Sequence, residues 1–195
     1  MEIDILPKTE RAQTHMVFIV VPRFNIMTLI TMIETLRIAN YLAPASIYSW
    51  EVASFDGSKI IASNGMTATI KTANDNLQSA EFVFILGSWG TEHYHNKKLT
   101  AWLRKRVRAG ERICGVELGS YIVARAGLLD GKLATIHWSW LNGFKENFNR
   151  VEVEESLFTL DRKVMTCSGG LAGVDLMLRL IEEINGSSFS GEIAD

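Results

Sequence analysis

The 195-residue sequence has little of several features that mark particular classes of protein. Its two cysteines, Cys114 and Cys167, are too few for a disulfide-stabilised scaffold, and neither has a partner at metal-ligand spacing. No apolar run approaches the roughly 20 residues that a membrane-spanning helix needs, and residues 1–13 lack the apolar core of a signal peptide. We therefore expect reduced, structural thiols, no membrane partner and a cytoplasmic location.

An excess of positive charge is also missing, because 20 Lys and Arg residues face 22 Asp and Glu residues and the formal net charge is -2. No overall positive field draws such a chain to phosphates or anionic lipid. We therefore expect DNA not to be a direct partner of these 195 residues. The densest basic run, residues 97–108, lies on a predicted helix, and its apolar spacing favours a solvated helix face over a phosphate-binding stripe.

What the sequence does contain is an alternation of short apolar runs and helical patterns. Continuous apolar runs at residues 16–21 and 82–86 are typical of strands buried on both faces of a parallel sheet. The pair Asn64-Gly65 predicts a hairpin within residues 59–71. The pattern predicts strands at 16–21, 50–55, 82–86, 113–116, 133–136, 151–153, 157–160 and 164–167, and helices at 29–42, 99–108, 121–126, 140–148 and 172–184.

Strands that alternate with helices of this length predict an α/β fold with an open, mostly parallel sheet, helices on both faces and a small β-hairpin excursion. No linker or repeat divides residues 1–195, so we expect a single domain. In such folds ligands bind beyond the carboxyl ends of the strands. The loops nominated by this rule are 22–28, 87–95, 117–120, 137–140 and 168–170.

The sharpest local pattern stands between the strand predicted at 113–116 and the helix that follows it. Gly115 and Gly119 lie two residues either side of Glu117, which is the spacing of a strand-to-helix elbow that projects its middle side chain over a helix N-terminus. The helix dipole and nearby N–H groups are then expected to lower the pKa of the Glu117 carboxyl group and keep it ionised. Alternatively, both glycines only permit close packing of strand and helix, with Glu117 capping the helix.

Three histidines fall at predicted strand ends or in loops. His93 and His95 lack a third ligand at supporting spacing, so a polar loop is favoured over a metal site. His137 is expected to have a hydrogen-bonding or structural role, because the elbow offers it no thiol or hydroxyl to activate except Ser120.

Three tryptophans, Trp89, Trp138 and Trp140, lie in or beside the same loops. Each taken alone is interpreted as a core residue. Together with a carboxylate at Glu117 they would suit a cationic ligand, particularly a quaternary ammonium held by aromatic faces at about 0.5–2 kcal/mol per contact. The hypothesis is a pocket that is both anionic and aromatic.

Several segments resemble one known group. The sequence is similar to the ThiJ/PfpI-like, class I glutamine amidotransferase-like N-terminal domains of AraC-type transcription regulators, from about residue 15 to residue 184. This likeness implies a flavodoxin-like fold. It is carried by residues 36–40 (LRIAN), 63–65 (SNG), 119–131 (GSYIVARAGLLDG), 134–138 (ATIHW), 166–170 (TCSGG) and 174–178 (VDLML).

The resemblance also implies that the chain is not an enzyme. Enzymes of the wider superfamily place a cysteine at the elbow and an acidic residue near the start of the first helix, where this sequence has Glu117 and Thr28. The expected pocket is then a recognition site without a metal or cofactor. Its expected ligand-binding residues are Glu117, Leu118, Trp89, His137, Trp138, Trp140 and Thr28.

The same likeness implies a ligand-sensing domain that controls transcription as a homodimer. It reaches DNA only through a C-terminal helix-turn-helix domain, which is absent from these 195 residues. Similar regulators respond to carnitine, glycine betaine or arginine-type metabolites, so the expected ligand is a quaternary ammonium or amino-acid-like metabolite. The alternatives are an enzyme of this fold that uses Glu117, His137 or Ser120 in an unfamiliar way, and a dimerisation domain with a vestigial pocket.

Overall fold

The structure is a computed structural model that describes residues 13–73 and 77–195. Residues 1–12, part of the segment in which we expected no signal peptide, lie outside the described residues. The described chain contains β1 (Thr14–Val20), α1 (Ile26–Leu42), β2 (Tyr48–Ser54), β3 (Lys59–Ile61), β4 (Thr67–Thr69), β5 (Lys71–Thr72), β6 (Phe82–Gly87), α2 (Lys97–Arg108), β7 (Arg112–Glu117), α3 (Gly119–Arg125), β8 (Leu133–Ala134), α4 (Leu141–Asn147), β9 (Glu152–Val153), β10 (Phe158–Thr159), β11 (Val164–Cys167), α5 (Ala172–Asn185) and α6 (Ser187–Ala194).

A seven-stranded sheet in the order β10-β11-β7-β6-β1-β2-β5 forms the centre of the fold. All of its neighbouring strands run parallel except β10, which is antiparallel to β11 at the edge. The predicted hairpin is present as the antiparallel pair of β3 and β4. The predicted open, mostly parallel α/β sheet is therefore confirmed.

Apolar residues cover both faces of this sheet, as the continuous apolar runs predicted. Along β1, Val17 and Ile19 pack on the face covered by α2 and α3, while Met16, Phe18 and Val20 pack on the face covered by α1 and α5. All five side chains are fully buried. Because the central strands of this sheet run parallel, their carboxyl ends meet at one edge.

The boundaries of some predicted elements differ from the observed ones. Helix α1 begins at Ile26, because the Asn25 side chain caps it by accepting hydrogen bonds from the backbone N–H groups of Met27 and Thr28. The strand predicted at 133–136 is only the two residues of β8, which pair with β9 outside the main sheet. Helix α6 was not predicted. In the part of the chain that the structure describes, no helix is long and apolar enough to cross a membrane.

The two glycines around Glu117 allow helix α3 to pack closely on the sheet, Gly115 at its contact with β7 and Gly119 at its contact with β6. A Cβ atom on Gly115 would lie 2.7 Å from the Ser120 Cα atom, and one on Gly119 would lie 1.8 Å from the carbonyl oxygen of Ile85. Both contacts are with backbone, which a change of rotamer does not relieve. The packing role of the glycines is thus observed, but the N-cap position of α3 is Leu118, so Glu117 does not cap the helix.

Replacing Gly119 with alanine should destabilise the protein by about 3 kcal/mol or more, because strand β6 and helix α3 must separate to admit the methyl group. Urea unfolding at equilibrium measures the change. The control is Gly191→Ala in α6, where an added Cβ meets nothing within 4 Å, and where alanine should be neutral or stabilising by up to about 1 kcal/mol. Equal midpoints for the two variants would contradict the close approach.

Candidate functional site

A cavity of about 600 Å³ opens at the carboxyl edge of the sheet. Every one of the five loops nominated from the sequence contributes to its lining, so this cavity lies where the rule for open α/β sheets places ligands. These loops provide Asn25, Ser88, Trp89, Glu117, His137, Trp138, Ser168, Gly169 and Gly170.

Glu117 lies at the end of β7 with φ of 56°, in the left-handed region that non-glycine residues rarely adopt. Such backbone strain is concentrated at functional sites, where the surrounding structure imposes it. The Gly169 backbone packs directly on the Glu117 side chain, since a Cβ atom there would lie 2.7 Å from the Glu117 Cβ atom. The turn therefore directs the Glu117 side chain into the cavity, as expected of an elbow.

The Glu117 carboxyl group is buried with only one of its oxygens satisfied. The residue is 5% exposed, and its Oε1 atom accepts a hydrogen bond from the Ser88 hydroxyl at 2.5 Å. Its Oε2 atom is buried and has no hydrogen-bond partner among the described residues. A buried polar atom without a partner is costly, so Oε2 is the atom in this cavity that a ligand would best satisfy.

Burial raises the pKa of the Glu117 carboxyl group above its ordinary value of 4.5. The Ser88 hydrogen bond, the Asn25 side chain and His137 lower this pKa, but loss of solvent outweighs them. The expectation of a lowered pKa was therefore wrong. The expectation failed because no backbone N–H group among the described residues donates a hydrogen bond to the Glu117 carboxyl group. The expected stabilisation of its negative charge is therefore missing.

Two aromatic side chains stand at the cavity with their surfaces largely in solvent. Trp89 is 63% exposed and Trp138 is 70% exposed, values that exclude a core role for either. The Trp138 ring lies 5.5 Å from the His137 ring, measured between centroids. His137 Nδ1 is 2.8 Å from the Ser139 hydroxyl, which fixes the ring at the start of a short 3-10 turn.

The charged residues that line the cavity are mostly acidic. Glu117 and Glu155 are both present, and His137 is the titratable base beside them. Among the described residues that form the lining, none is Lys or Arg. The site therefore pairs carboxyl groups with exposed aromatic surface, a combination that suits a positively charged ligand.

Three of the seven expected binding residues do not line this cavity. Leu118 is fully buried in the core. Thr28 is 1% exposed, and its Oγ1 atom accepts a hydrogen bond from the Gly170 N–H at 3.0 Å. It therefore supports loop 168–170, which forms part of the cavity wall. Trp140 packs edge-to-face on Tyr121, with ring centroids 6.3 Å apart. The structure thus brings together Glu117, Trp89, His137 and Trp138 only.

The remaining candidates for chemistry are placed away from the cavity. Ser120 is fully buried, and its hydroxyl group is 3.3 Å from the Gly115 carbonyl oxygen and 3.1 Å from that of Thr135. His93 belongs to a 3-10 turn at Thr91–His93. Within residues 13–73 and 77–195, no cluster of three or more His, Cys, Asp or Glu side chains could hold a metal ion.

Both cysteines are free and buried, on the neighbouring strands β7 and β11. Burial raises the pKa of the Cys167 thiol to about 12 and that of Cys114 well above its ordinary value. Thiols in this state are unreactive at neutral pH. Their position in the core agrees with a structural role.

Sequence reasoning missed part of the cavity wall. Ser63 reaches it from the tip of the hairpin, which is held over the β1–α1 loop by hydrogen bonds from Arg23 N–H to the Ile61 carbonyl and from Ser63 N–H to the Phe24 carbonyl. Residues 155–157 reach it from the connection before β10, and Ile136 from just before His137. Ser63 lies inside the predicted hairpin and Ile136 inside the strand predicted at 133–136. Residues 155–157 fall between and into the segments predicted at 151–153 and 157–160, which were not nominated as site loops.

Glu117→Gln should change how stability depends on pH. Between pH 4.5 and the raised pKa, the folded protein retains a proton that the unfolded chain has released, so wild-type stability falls as pH rises through this window. The variant lacks this loss. Its melting temperature relative to wild type should therefore increase from about pH 4.5 to about pH 8, as measured by thermal unfolding.

Glu192→Gln on α6 controls for the removal of one negative charge at a distant, exposed position. A difference between Glu117→Gln and wild type that stays constant across this pH range would contradict the burial of an ionisable group at the elbow.

Comparisons with known proteins agree with the fold. The HTH-type transcriptional regulator CdhR of Pseudomonas aeruginosa is 35% identical over 91% of this chain and 53% of its own length. The HTH-type transcriptional regulator GbdR of the same species is 34% identical over 97% and 52%. The chain therefore spans about half the length of these regulators. A more distant relative, the isonitrile hydratase of Pseudomonas putida, is 24% identical over 65% and 55%.

Among solved structures, an AraC family transcriptional regulator from Pseudomonas putida superposes with a TM-score of 0.85 at 21% identity, covering 92% of this chain and 97% of that one. This likeness shows that the two share a fold. The DJ-1/PfpI family matches residues 16–183, which is most of the sequence. Together with the identity to the two HTH-type regulators, this match shows that the chain belongs to the DJ-1/PfpI family.

Proposed function

We propose that this chain is the ligand-sensing domain of an AraC-type transcription regulator, and that its ligand is a small cationic metabolite of the quaternary ammonium or amino-acid-like kind. The observation on which this proposal chiefly depends is the unpartnered Oε2 atom of Glu117, buried in the cavity and accompanied by exposed Trp89 and Trp138. The similarity to HTH-type regulators supports the regulatory role.

A cation placed against Oε2 supplies the partner that the described residues do not provide. Loss of solvent disfavours the ionised carboxyl group, and an adjacent positive charge favours it, so the two effects offset each other when the ligand binds. Aromatic faces at Trp89 and Trp138 would add about 0.5–2 kcal/mol for each cation contact. A neutral ligand of the same shape would leave the burial of this charge uncompensated.

Recognition, rather than catalysis, is the function that this geometry favours. An ionised carboxyl group acts as a nucleophile in few enzyme classes, and the Ser120 hydroxyl, already within hydrogen-bond distance of two carbonyls, is too buried to react. The DJ-1/PfpI enzymes to which the resemblance pointed use a cysteine at the elbow, where this chain has Glu117. The proposal is therefore that the elbow geometry has been kept while its chemistry has changed.

Catalysis is the second candidate, because one relative is an isonitrile hydratase and because Glu117 has the strained backbone of a reactive elbow. A turnover assay with isonitriles separates the two functions. Background rates in the presence of measurable ligand binding would favour the sensor, and turnover that is lost in Glu117→Gln would favour the enzyme.

In the whole regulator, ligand binding would act on DNA through a helix-turn-helix domain in the cytoplasm. A homodimer with two arrangements would shift toward the one that binds ligand more tightly, and the shift would be limited by the ligand's differential affinity for the two. The sensing domain needs no contact with the operator for this mechanism.

A thermal-shift screen with quaternary ammonium compounds, amino acids and other small nitrogenous metabolites tests the proposal. A compound that binds only the folded chain should stabilise it by about 2.7 kcal/mol at 100 times its dissociation constant. Glu117→Gln should abolish most of this stabilisation. Trp138→Ala should weaken binding by about 0.5–2 kcal/mol, the value of one cation–aromatic contact.

The matched control is Trp140→Phe, because Trp140 is a tryptophan of the same region that packs on Tyr121 outside the cavity. It should bind the compound as wild type does. Binding that survives both Glu117→Gln and Trp138→Ala would contradict the proposed site, and the absence of any stabilising compound would favour a dimerisation domain with a vestigial pocket.

A further inference from the structure

Helix α2 presents a strongly basic surface that the proposed sensor function does not use. Its 12 residues include six basic side chains and no acidic one. Arg106 is buried and forms an ion pair with Glu111, so it belongs to the interior. The other five form what we call the basic face: Lys97, Lys98, Arg104, Lys105 and Arg108.

The basic face is a single continuous stripe. At about 100° per residue, its five side chains fall within an arc of about 120° around the helix axis. The buried residues Leu99, Trp102 and Leu103, together with Arg106, occupy the opposite side. The charges therefore point away from the core on one side of the molecule, even though the whole chain has a net charge of -2.

No side chain of the basic face forms an ion pair with any carboxylate in the described part of the chain. Arg104 makes one long contact, 3.4 Å from its guanidinium group to the Ala126 carbonyl oxygen. Helix α2 also lacks the acidic residues three or four positions away that usually accompany such cations. The positive charge is thus not neutralised within the fold.

The position of two of these lysines makes the helix less stable. Lys97 and Lys98 occupy the first turn, where the helix dipole is positive, and no acidic residue lies in that turn. Cations at a helix N-terminus are unfavourable by about 0.3–1 kcal/mol each. A solvated face does not require this arrangement, whereas a face that binds a polyanion gains from it.

We propose that the basic face contacts the phosphate backbone of DNA, without reading its sequence. The inference rests on the proposed function for one point only, which is that a tethered helix-turn-helix domain brings duplex DNA within reach of the sensor. It departs from the expectation that DNA does not contact this chain directly, which was based on net charge. Net charge does not describe a surface on which all the charges have one sign.

The dimensions of the face agree with this partner. Eleven residue steps from Lys97 to Arg108 span about 16 Å along the helix axis. A duplex of that length presents about ten phosphates, since it has one negative charge per about 1.7 Å. Lysine and arginine side chains on one helix stripe can then neutralise about four phosphates at once, which makes the contact strongly dependent on salt.

Fluorescence anisotropy with a short labelled duplex of arbitrary sequence tests the proposal directly on this chain. With about four phosphates neutralised, the affinity should fall by about 150-fold between 50 mM and 200 mM salt. A second duplex of unrelated sequence should bind equally well. The variant Lys97→Gln/Lys98→Gln/Lys105→Gln/Arg108→Gln should lose at least about tenfold in affinity at 50 mM salt, and most of the salt dependence.

The matched control is Lys59→Gln/Lys145→Gln/Arg162→Gln/Lys163→Gln. It also removes three lysines and one arginine, but from exposed positions outside α2. It should bind DNA within about twofold of wild type, and both variants should unfold at wild-type temperature or above.

No binding by wild type at 50 mM salt, or equal losses in the two variants, would overturn the proposal. An acidic protein partner would give the first result. Neither outcome bears on ligand binding at Glu117, which the thermal-shift screen tests separately.

Discussion

The backbone of Glu117, held at φ of 56° between a buried strand and a buried helix, is the constraint on which the site depends. Gly115 allows β7, and Gly119 allows β6, to lie close to helix α3. Gly169 then packs against the Glu117 side chain from the other side. The Glu117 side chain therefore lies in the wall of the cavity.

This placement determines the electrostatics of the cavity. The carboxyl group loses most of its solvent, and its pKa rises because the Ser88 hydrogen bond and the nearby Asn25 side chain do not outweigh that loss. The acidic, aromatic lining offers no Lys or Arg among the described residues to compensate. We propose that a positive charge on the ligand provides this compensation. The strain of the elbow and the unpartnered Oε2 atom are two consequences of one turn.

The sequence predicted the sheet, the hairpin and five of the loops that line the cavity, because buried strands are recognisable as apolar runs and ligands bind beyond their carboxyl ends. It did not predict that Thr28 and Leu118 point into packed regions, since side-chain direction depends on tertiary contacts. The Glu117 pKa was predicted in the wrong direction because a local pattern shows a nearby helix but not the depth of burial. Residues 155–157 were missed because they reach the cavity from a connection whose position depends on the edge strand β10.

A crystal structure of this chain with the compound that stabilises it most would show whether Glu117 binds the ligand. The cationic group of the compound should lie against Oε2 of Glu117, with the ring of Trp89 or Trp138 in contact with it. A compound bound elsewhere, or bound in the cavity with its cationic group turned to solvent and Oε2 still without a partner, would contradict it.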